Sequence, residues 1–351
     1  MDCLHSNGGT VATILSGIWR RFPPKLEIPA AKVASAAPLL LKSGAGALGW
    51  WRVRHLSPET LSFSLRRLYI TYLRYAVQAA EYEAEIGNVF SALRSSGIEP
   101  ILIKGWAIAR VYPEAGLRPC GDIDLCISPD QYSRARAVLS RRDPYLHSVD
   151  LSHDTIARFS EFSFEELYAR SQVVNLGRPE IRVLGAEDHL RILCLHMLKH
   201  GAWRPLWLCD VAAALESRPS NFDWDLCLGK NERRADWILS SLALANRLLG
   251  AATEGTPAFE RTRKLPRWLA RAVLKQWNAT PRSNLPAFLE QVAGRWWTAG
   301  TVRAIHQRWP NPIQATVDAG GAFTATTRLP YQIRDCALRA VELAASLRST
   351  N

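Results

Sequence analysis

Two short stretches hold the residues best suited to chemistry: Ile101-Leu102-Ile103-Lys104-Gly105 and, further along, Gly121-Asp122-Ile123-Asp124-Leu125. The second alternates carboxylate and aliphatic side chains. With the period of two that a strand imposes, Asp122 and Asp124 share one face, and Ile123 and Leu125 the other. Two carboxylates about 7 Å apart on one strand face repel each other and cost stability. A divalent cation removes that cost. Hard oxygen ligands suit Mg²⁺, which also binds nucleotide phosphates, and Mn²⁺ accepts the same donors. The first stretch is apolar up to Lys104-Gly105, which reads as a turn opening a helix over 106–111. A glycine there permits close backbone approach to an anion, and a helix N-terminus favours negative charge. Lys104 is placed to neutralise a triphosphate, and Arg118 to reach phosphate as a guanidinium fork. Together these residues describe a site for a metal-bound nucleoside triphosphate.

The elements that must position them follow from spacing. Ser57-Pro58-Glu59 reads as a helix start, and apolar residues recur at helical spacing from there to Ser95, with Gly97 as the stop. Strands are expected over 100–103 and 120–127, then a helix from Ser128-Pro129-Asp130 to Leu139. Short strands follow over 146–151 and 180–184. From Ala186 the pattern turns helical, over 187–200, 207–216, 224–230 and 235–249. Pro266, Pro281, Pro286, Pro310, Pro312 and Pro330 divide shorter helices beyond that. Residues 1–56 read as irregular because of Pro23-Pro24, Pro29 and Pro38. Within them Gly44, Gly46 and Gly49 fit the spacing of a dinucleotide fingerprint. No strand precedes them and no acidic residue follows at about twenty positions, so a chance match in a loop is expected.

Composition narrows the class. A chain of 351 residues, 48% hydrophobic, can bury a substantial core in one or two domains. The net charge of +12 favours polyanionic partners such as nucleotides or RNA without choosing between them. Cys3, Cys120, Cys126, Cys194, Cys209, Cys227 and Cys336 are odd in number and contain no Cys-x-x-Cys pair. Buried thiols in a reducing compartment are the natural reading. The apolar run over 11–19 has its arginines after it, the wrong polarity for a signal peptide. No run of about 18 apolar residues is present, so no membrane partner is expected and the cytoplasm is the expected location.

The order of these blocks resembles the DNA polymerase beta-type nucleotidyltransferase superfamily. Within it, the chain is similar to a bacterial family of uncharacterised nucleotidyltransferases. The likeness rests on Leu102-Ile103-Lys104-Gly105, Tyr112-Pro113, Gly116-Leu117-Arg118-Pro119 and Asp122-Ile123-Asp124-Leu125. It continues through Val149-Asp150-Leu151-Ser152-His153, the 185–201 segment ending His196-Met197-Leu198-Lys199-His200-Gly201, and Trp207-Leu208-Cys209-Asp210-Val211. It spans about residues 60–250. One departure is the short segment 141–148, where the family carries an extra strand, with Ser152-His153 in place of His-Trp.

The resemblance implies an α/β (α+β) fold: a small mixed-sheet nucleotidyltransferase core with large helical additions on both sides. The expected parts are an irregular segment over 1–56, the core with its long helix over 57–185, and a helical region over 186–351. Asp122, Asp124 and Asp150 would be the catalytic and metal-binding carboxylates around two Mg²⁺ ions, with Glu161, Glu165 or Glu166 as substitutes for Asp150. Lys104, Gly105, Arg118, His196, Lys199 and His200 would bind nucleotide. His196 and His200, four apart on one helix face, also read as a structural pair, or as zinc ligands that lack a third partner. The reaction implied is metal-dependent transfer of a nucleoside monophosphate from a triphosphate to an acceptor (small molecule, peptide or tRNA) with release of pyrophosphate. Its rivals are a toxin-like tRNA nucleotidyltransferase and a non-catalytic nucleotide-binding protein that retains the fold.

Overall fold

The computed structural model describes residues 6–56, 61–140, 148–152, 161–176, 180–278 and 309–349. Three helices come first: α1 (Asn7–Leu15), α2 (Ala30–Lys42) and α3 (Gly46–Val53). The irregular segment expected over 1–56 is thus largely helical. Pro23, Pro24 and Pro29 lie between α1 and α2, where no helix is continued. Pro38 sits inside α2, but Val33, Ala36, Ala37 and Leu40 bury one face of that helix. That burial outweighs the proline. Of the glycine spacing noted above, Gly46 and Gly49 fall in the wholly buried α3 and Gly44 in the turn before it. A Cβ at Gly49 would lie 2.8 Å from Leu40 Cδ1, so this glycine serves close packing of α3 on α2.

The next helix, α4 (Phe63–Ser95), has 33 residues and is about 50 Å long. The Ser57-Pro58 start expected for it lies outside the described residues. Its first half buries Leu65 and Leu68 in the large helical core, and its second half buries Ile86, Val89, Phe90 and Leu93 beneath the sheet. One helix thereby joins two cores.

The core then runs β1 (Ile101–Leu102), α5 (Trp106–Ala109), β2 (Ile123–Cys126), α6 (Tyr132–Leu139), β3 (Val149–Ser152), α7 (Phe164–Arg170), β4 (Gln172–Asn175) and β5 (Glu180–Val183). These strands form a mixed sheet in the order β3-β2-β1-β5-β4. The β1–β2 and β4–β5 pairs are antiparallel, and the β1–β5 and β2–β3 pairs are parallel. The expected mixed-sheet α/β core is present, with β4 added to it.

Helices α8 (Ala186–Lys199), α9 (Pro205–Glu216), α10 (Trp224–Leu228) and α11 (Glu232–Leu249) follow. Pro205 opens α9, and Gly250, at φ 69°, closes α11 in the left-handed conformation that glycine adopts without strain. Then come α12 (Ala258–Lys264), α13 (Arg267–Asn278), α14 (Pro312–Asp318) and α15 (Leu329–Ser349). Val11 and Leu15 of α1, Leu48 of α3, Leu195 of α8, Leu242 of α11 and Val273 of α13 belong to one continuous apolar core. Helices α1, α3, α8, α11 and α13 therefore share one core. Among the described residues, no helix is long and apolar enough to cross a membrane.

Candidate active site

Ile123 and Leu125 are fully buried with Val89 and Phe90 of α4. The opposite face of β2 carries Asp122, Asp124 and Cys126. At its far end Cys126 is covered by Leu167 of α7 and Ile192 of α8. Toward Asp122 that cover ends, so the same face emerges from under the helices as a carboxylate edge. Asp122 and Asp124 both line the resulting cleft, a cavity of about 370 Å³.

Strand β3 runs parallel to β2 with Asp150 directly opposite Asp124. In-register residues on neighbouring strands point to the same side, across a strand spacing of about 4.8 Å. Asp150 therefore joins Asp122 and Asp124 on one face despite the short preceding segment, of which 141–147 lies outside the described residues, as does His153. Ile123 N–H donates to the Ser148 carbonyl at 2.8 Å and Ile127 N–H to the Ser152 carbonyl at 3.1 Å, which extends the pairing beyond both strand ends. Two of the substitutes considered for Asp150 are engaged elsewhere. Glu161 accepts from the Lys230 and Asn231 amides, and Glu166 closes the N-terminal capping box of α7 with Ser163, whose first turn also holds Glu165.

Lys104 meets this face directly. Its ammonium lies 2.8 Å from Asp124 Oδ1. Burial raises the pKa of Asp124, Lys104 opposes that rise, and the charge of Asp150 adds to it. The chain turns sharply at Gly105, at φ 61°, into the single turn of α5. A Cβ there would come within 3.1 Å of the Tyr82 hydroxyl, which donates to the Asp122 carbonyl at 2.5 Å. Tyr82 of α4 thus pins the start of the Asp-x-Asp strand beside the glycine turn.

Arg118 lines the cleft, but its fork is not free for phosphate. It binds Asp210 of α9, with Nη2 2.9 Å from Oδ2 and Nε 3.3 Å from both oxygens. Tyr112 donates to the same carboxylate at 2.9 Å. Burial works against the charge on Arg118, and Asp210 more than offsets it, so its pKa is raised. Asp210 is wholly buried, and a buried carboxylate without such partners is strongly unfavourable. The fork expected for phosphate instead locks the segment before β2 onto α9.

His196 and His200 of α8 form the opposite wall together with Trp207 of α9. Their rings lie 4.6 Å apart, and each lies near the indole, at 5.0 and 5.3 Å. Burial, assisted by Lys104 and the neighbouring cations, pushes His196 down to about 2 and lowers His200. Both are neutral imidazoles near pH 7. Lys199 does not face this cleft. It pairs with Asp318 of α14, because the residue between two cleft-facing positions projects from another side of the helix. Among the described residues, no group of three His, Cys, Asp or Glu side chains is gathered as a metal cluster. The zinc reading of the histidine pair therefore gains no third ligand, and the three aspartates are register neighbours without being drawn together.

Arg204 is a cleft residue that the sequence pattern did not single out. It lines the cavity beside Trp207, and its Nε donates to the Ser43 carbonyl at the end of α2 at 3.0 Å. The one sequence signal was an arginine directly before the proline that opens a helix. A family model described as uncharacterised nucleotidyltransferase matches residues 47–250, more than half of the chain. The match runs from α3 to the glycine cap of α11 and takes in every side chain of the cleft. No curated protein and no solved structure matches the chain.

Proposed function

The chain belongs to the uncharacterised nucleotidyltransferase family, and we propose that it transfers a nucleoside monophosphate from a triphosphate to an acceptor at the carboxylate face of β2 and β3. The parallel register that sets Asp150 opposite Asp124 is the observation that carries this reading. An acceptor oxygen forms a bond to the α-phosphorus, the bond from that phosphorus to the bridging oxygen breaks, and pyrophosphate leaves.

The residues fit a hard divalent cation. Their donors are carboxylate oxygens on the open end of one sheet face, and Asp124 already holds a cation, the Lys104 ammonium. Asp122, Asp124 and Asp150 would hold Mg²⁺, or Mn²⁺ in its place. When bound, the ions would neutralise phosphate charge and stabilise the attacking and leaving oxygens. Lys104 then turns from Asp124 to the triphosphate beside Gly105. Arg204 adds positive charge, and the neutral His196, His200 and Trp207 offer a flat, uncharged wall to the base or ribose. Asp150 accepts the proton of the attacking hydroxyl. The unpaired thiols of Cys120, Cys126, Cys194, Cys209, Cys227 and Cys336 are consistent with a reducing cytoplasm as the site of this reaction.

Calorimetry with a non-hydrolysable ATP analogue tests the binding half of the reading. Affinity should rise at least about tenfold when Mg²⁺ is added, a gain of about 1.4 kcal/mol, and that gain should vanish in the Asp122→Asn, Asp124→Asn double variant. Equal binding with and without metal would remove the proposal.

A further inference from the structure

A second cavity, of about 270 Å³, lies behind the Arg118–Cys120 segment. Residues Tyr75, Arg118, Pro119 and Cys120 bound both this trough and the carboxylate cleft, so the two adjoin across one thin wall. The trough runs along α4 from Tyr75 to Glu83, about 12 Å of helix. One end is closed by Gly116, at φ 83°. A Cβ there would sit 2.4 Å from the Ala76 amide nitrogen, so only glycine lets this loop approach α4 so closely.

Its chemistry differs from that of the cleft, where Lys104, Arg118 and Arg204 stand among Asp122, Asp124 and Asp210. Glu83 accepts from Trp106 Nε1 at 2.8 Å through Oε1, and Glu114 accepts from the Tyr72 hydroxyl at 2.7 Å through Oε2. Each carboxylate is thus oriented through one oxygen by an aromatic donor. Arg118 contributes no net positive charge, because Asp210 neutralises it from outside the trough. Arg110 and Glu114 both lie at the exposed rim, Arg110 with its Nε on the Ala107 carbonyl, and Glu83 sits deeper. Two carboxylates against one rim guanidinium leave the trough negative. Tyr75, Tyr82, Trp106 and Tyr112 line it, and aromatic rings beside carboxylates favour an organic cation. The volume admits a small molecule and excludes a folded macromolecule.

We infer that this trough is the acceptor subsite, and that the acceptor is a small organic cation carrying a hydroxyl group. The inference rests on the nucleotidyl-transfer reading of the adjoining cleft. The anionic triphosphate enters on the Lys104 and Arg204 side, and the cationic acceptor enters on the Glu83 and Glu114 side. Its hydroxyl reaches over the Arg118–Cys120 wall. The hydroxyl oxygen bonds to the α-phosphorus, its proton passes to Asp150, and the pyrophosphate oxygen takes the electrons of the broken bond.

Choline and its uncharged carbon isostere, 3,3-dimethylbutan-1-ol, separate charge from shape. On the full chain, choline should bind at least about tenfold more tightly than the isostere. Glu83→Gln and Glu114→Gln keep an oxygen to accept from Trp106 and Tyr72, so the fold is retained. Each should weaken choline binding about fivefold and leave the Mg²⁺-dependent binding of the ATP analogue unchanged. Equal affinity for the two probes, absence of choline binding, or no response to either substitution would overturn the inference. Choline failure with the nucleotide response intact defeats the trough alone, whereas loss of the nucleotide response with choline binding intact defeats the transfer reading.

Discussion

Asp122, Asp124 and Asp150 share a face but differ in their surroundings. Asp124 is partly covered and already paired with Lys104, while Asp122 and Asp150 are exposed. A carboxylate that acts chiefly on the attacking hydroxyl need not contribute to ground-state nucleotide binding. Asp150→Ala should therefore keep analogue affinity within about threefold and lose about 100-fold or more in turnover. A parallel loss of affinity and turnover would instead make Asp150 a binding residue. The first two aspartates were legible because alternation with Ile123 and Leu125 admits few other readings. Asp150 was legible only through family resemblance, since its place depends on the register of β3 against β2. The pairing of Arg118 was not legible, because its partner, Asp210, lies 92 residues away and no local pattern announces it. Arg204 went unnoticed for the same reason: its contacts are with α2 and the cleft, not with neighbours in sequence.

At the scale of elements, the Arg118–Asp210 pair is what fastens α9 to the segment leading into β2. Removing one partner leaves a buried charge alone, at a cost of about 3–5 kcal/mol. Arg118→Met should lower the melting temperature sharply, and the Arg118→Met, Asp210→Leu double variant should recover part of it. A single variant as stable as wild type would contradict the role. Helix α8 carries a pH dependence of its own. His189 is 7% exposed, its Nε2 has no partner among the described residues, and burial, with Arg110 and Arg118, pushes it down to about 3. Its folded pKa lies below the unfolded value of about 6.5, so below that pH the unfolded chain binds a proton that the folded chain refuses. Stability is present above about pH 6.5 and is lost as pH falls toward 3, by about 1.4 kcal/mol per pH unit for this proton. His189→Gln should remove that slope, whatever it does to stability at pH 8. Unfolding titrations with identical pH slopes for both proteins would refute it. Among the elements, β4 was not foreseen. Its residues Gln172–Asn175 form an edge strand with Val173 half exposed, so the alternation that marks a half-buried strand is absent.

The whole molecule is organised by one helical core that begins well before the family match. Ile14, Leu15, Ile18, Val33 and Leu40 are all fully buried, and the family match begins at residue 47. Prolines made this region look irregular in sequence, whereas tertiary burial makes it helical. Deleting residues 1–45 should thus expose the apolar faces of α3, α11 and α13 and yield an aggregated protein. A soluble, cooperatively melting fragment would show the N-terminal helices to be dispensable. On the proposed reading, Lys104 and Arg204 serve the triphosphate in the cleft and Glu83 and Glu114 serve the acceptor in the trough behind it, so two substrates of opposite charge would meet across a few residues.

The central claim is that this face transfers the α-phosphorus of a nucleoside triphosphate. It is tested most directly by following two labels in parallel. With Mg²⁺ and choline or a small-molecule extract as acceptor source, label from the α-position of ATP should appear in a new product, and label from the γ-position should leave as pyrophosphate. Both events should be abolished in the Asp122→Asn, Asp124→Asn protein, whose melting temperature should stay within about 5 °C of wild type because like-charge repulsion is relieved as the Lys104 pair is lost. Transfer of the γ-label to the acceptor, no α-label transfer by the wild type, or α-label transfer that persists in the double variant would contradict the account.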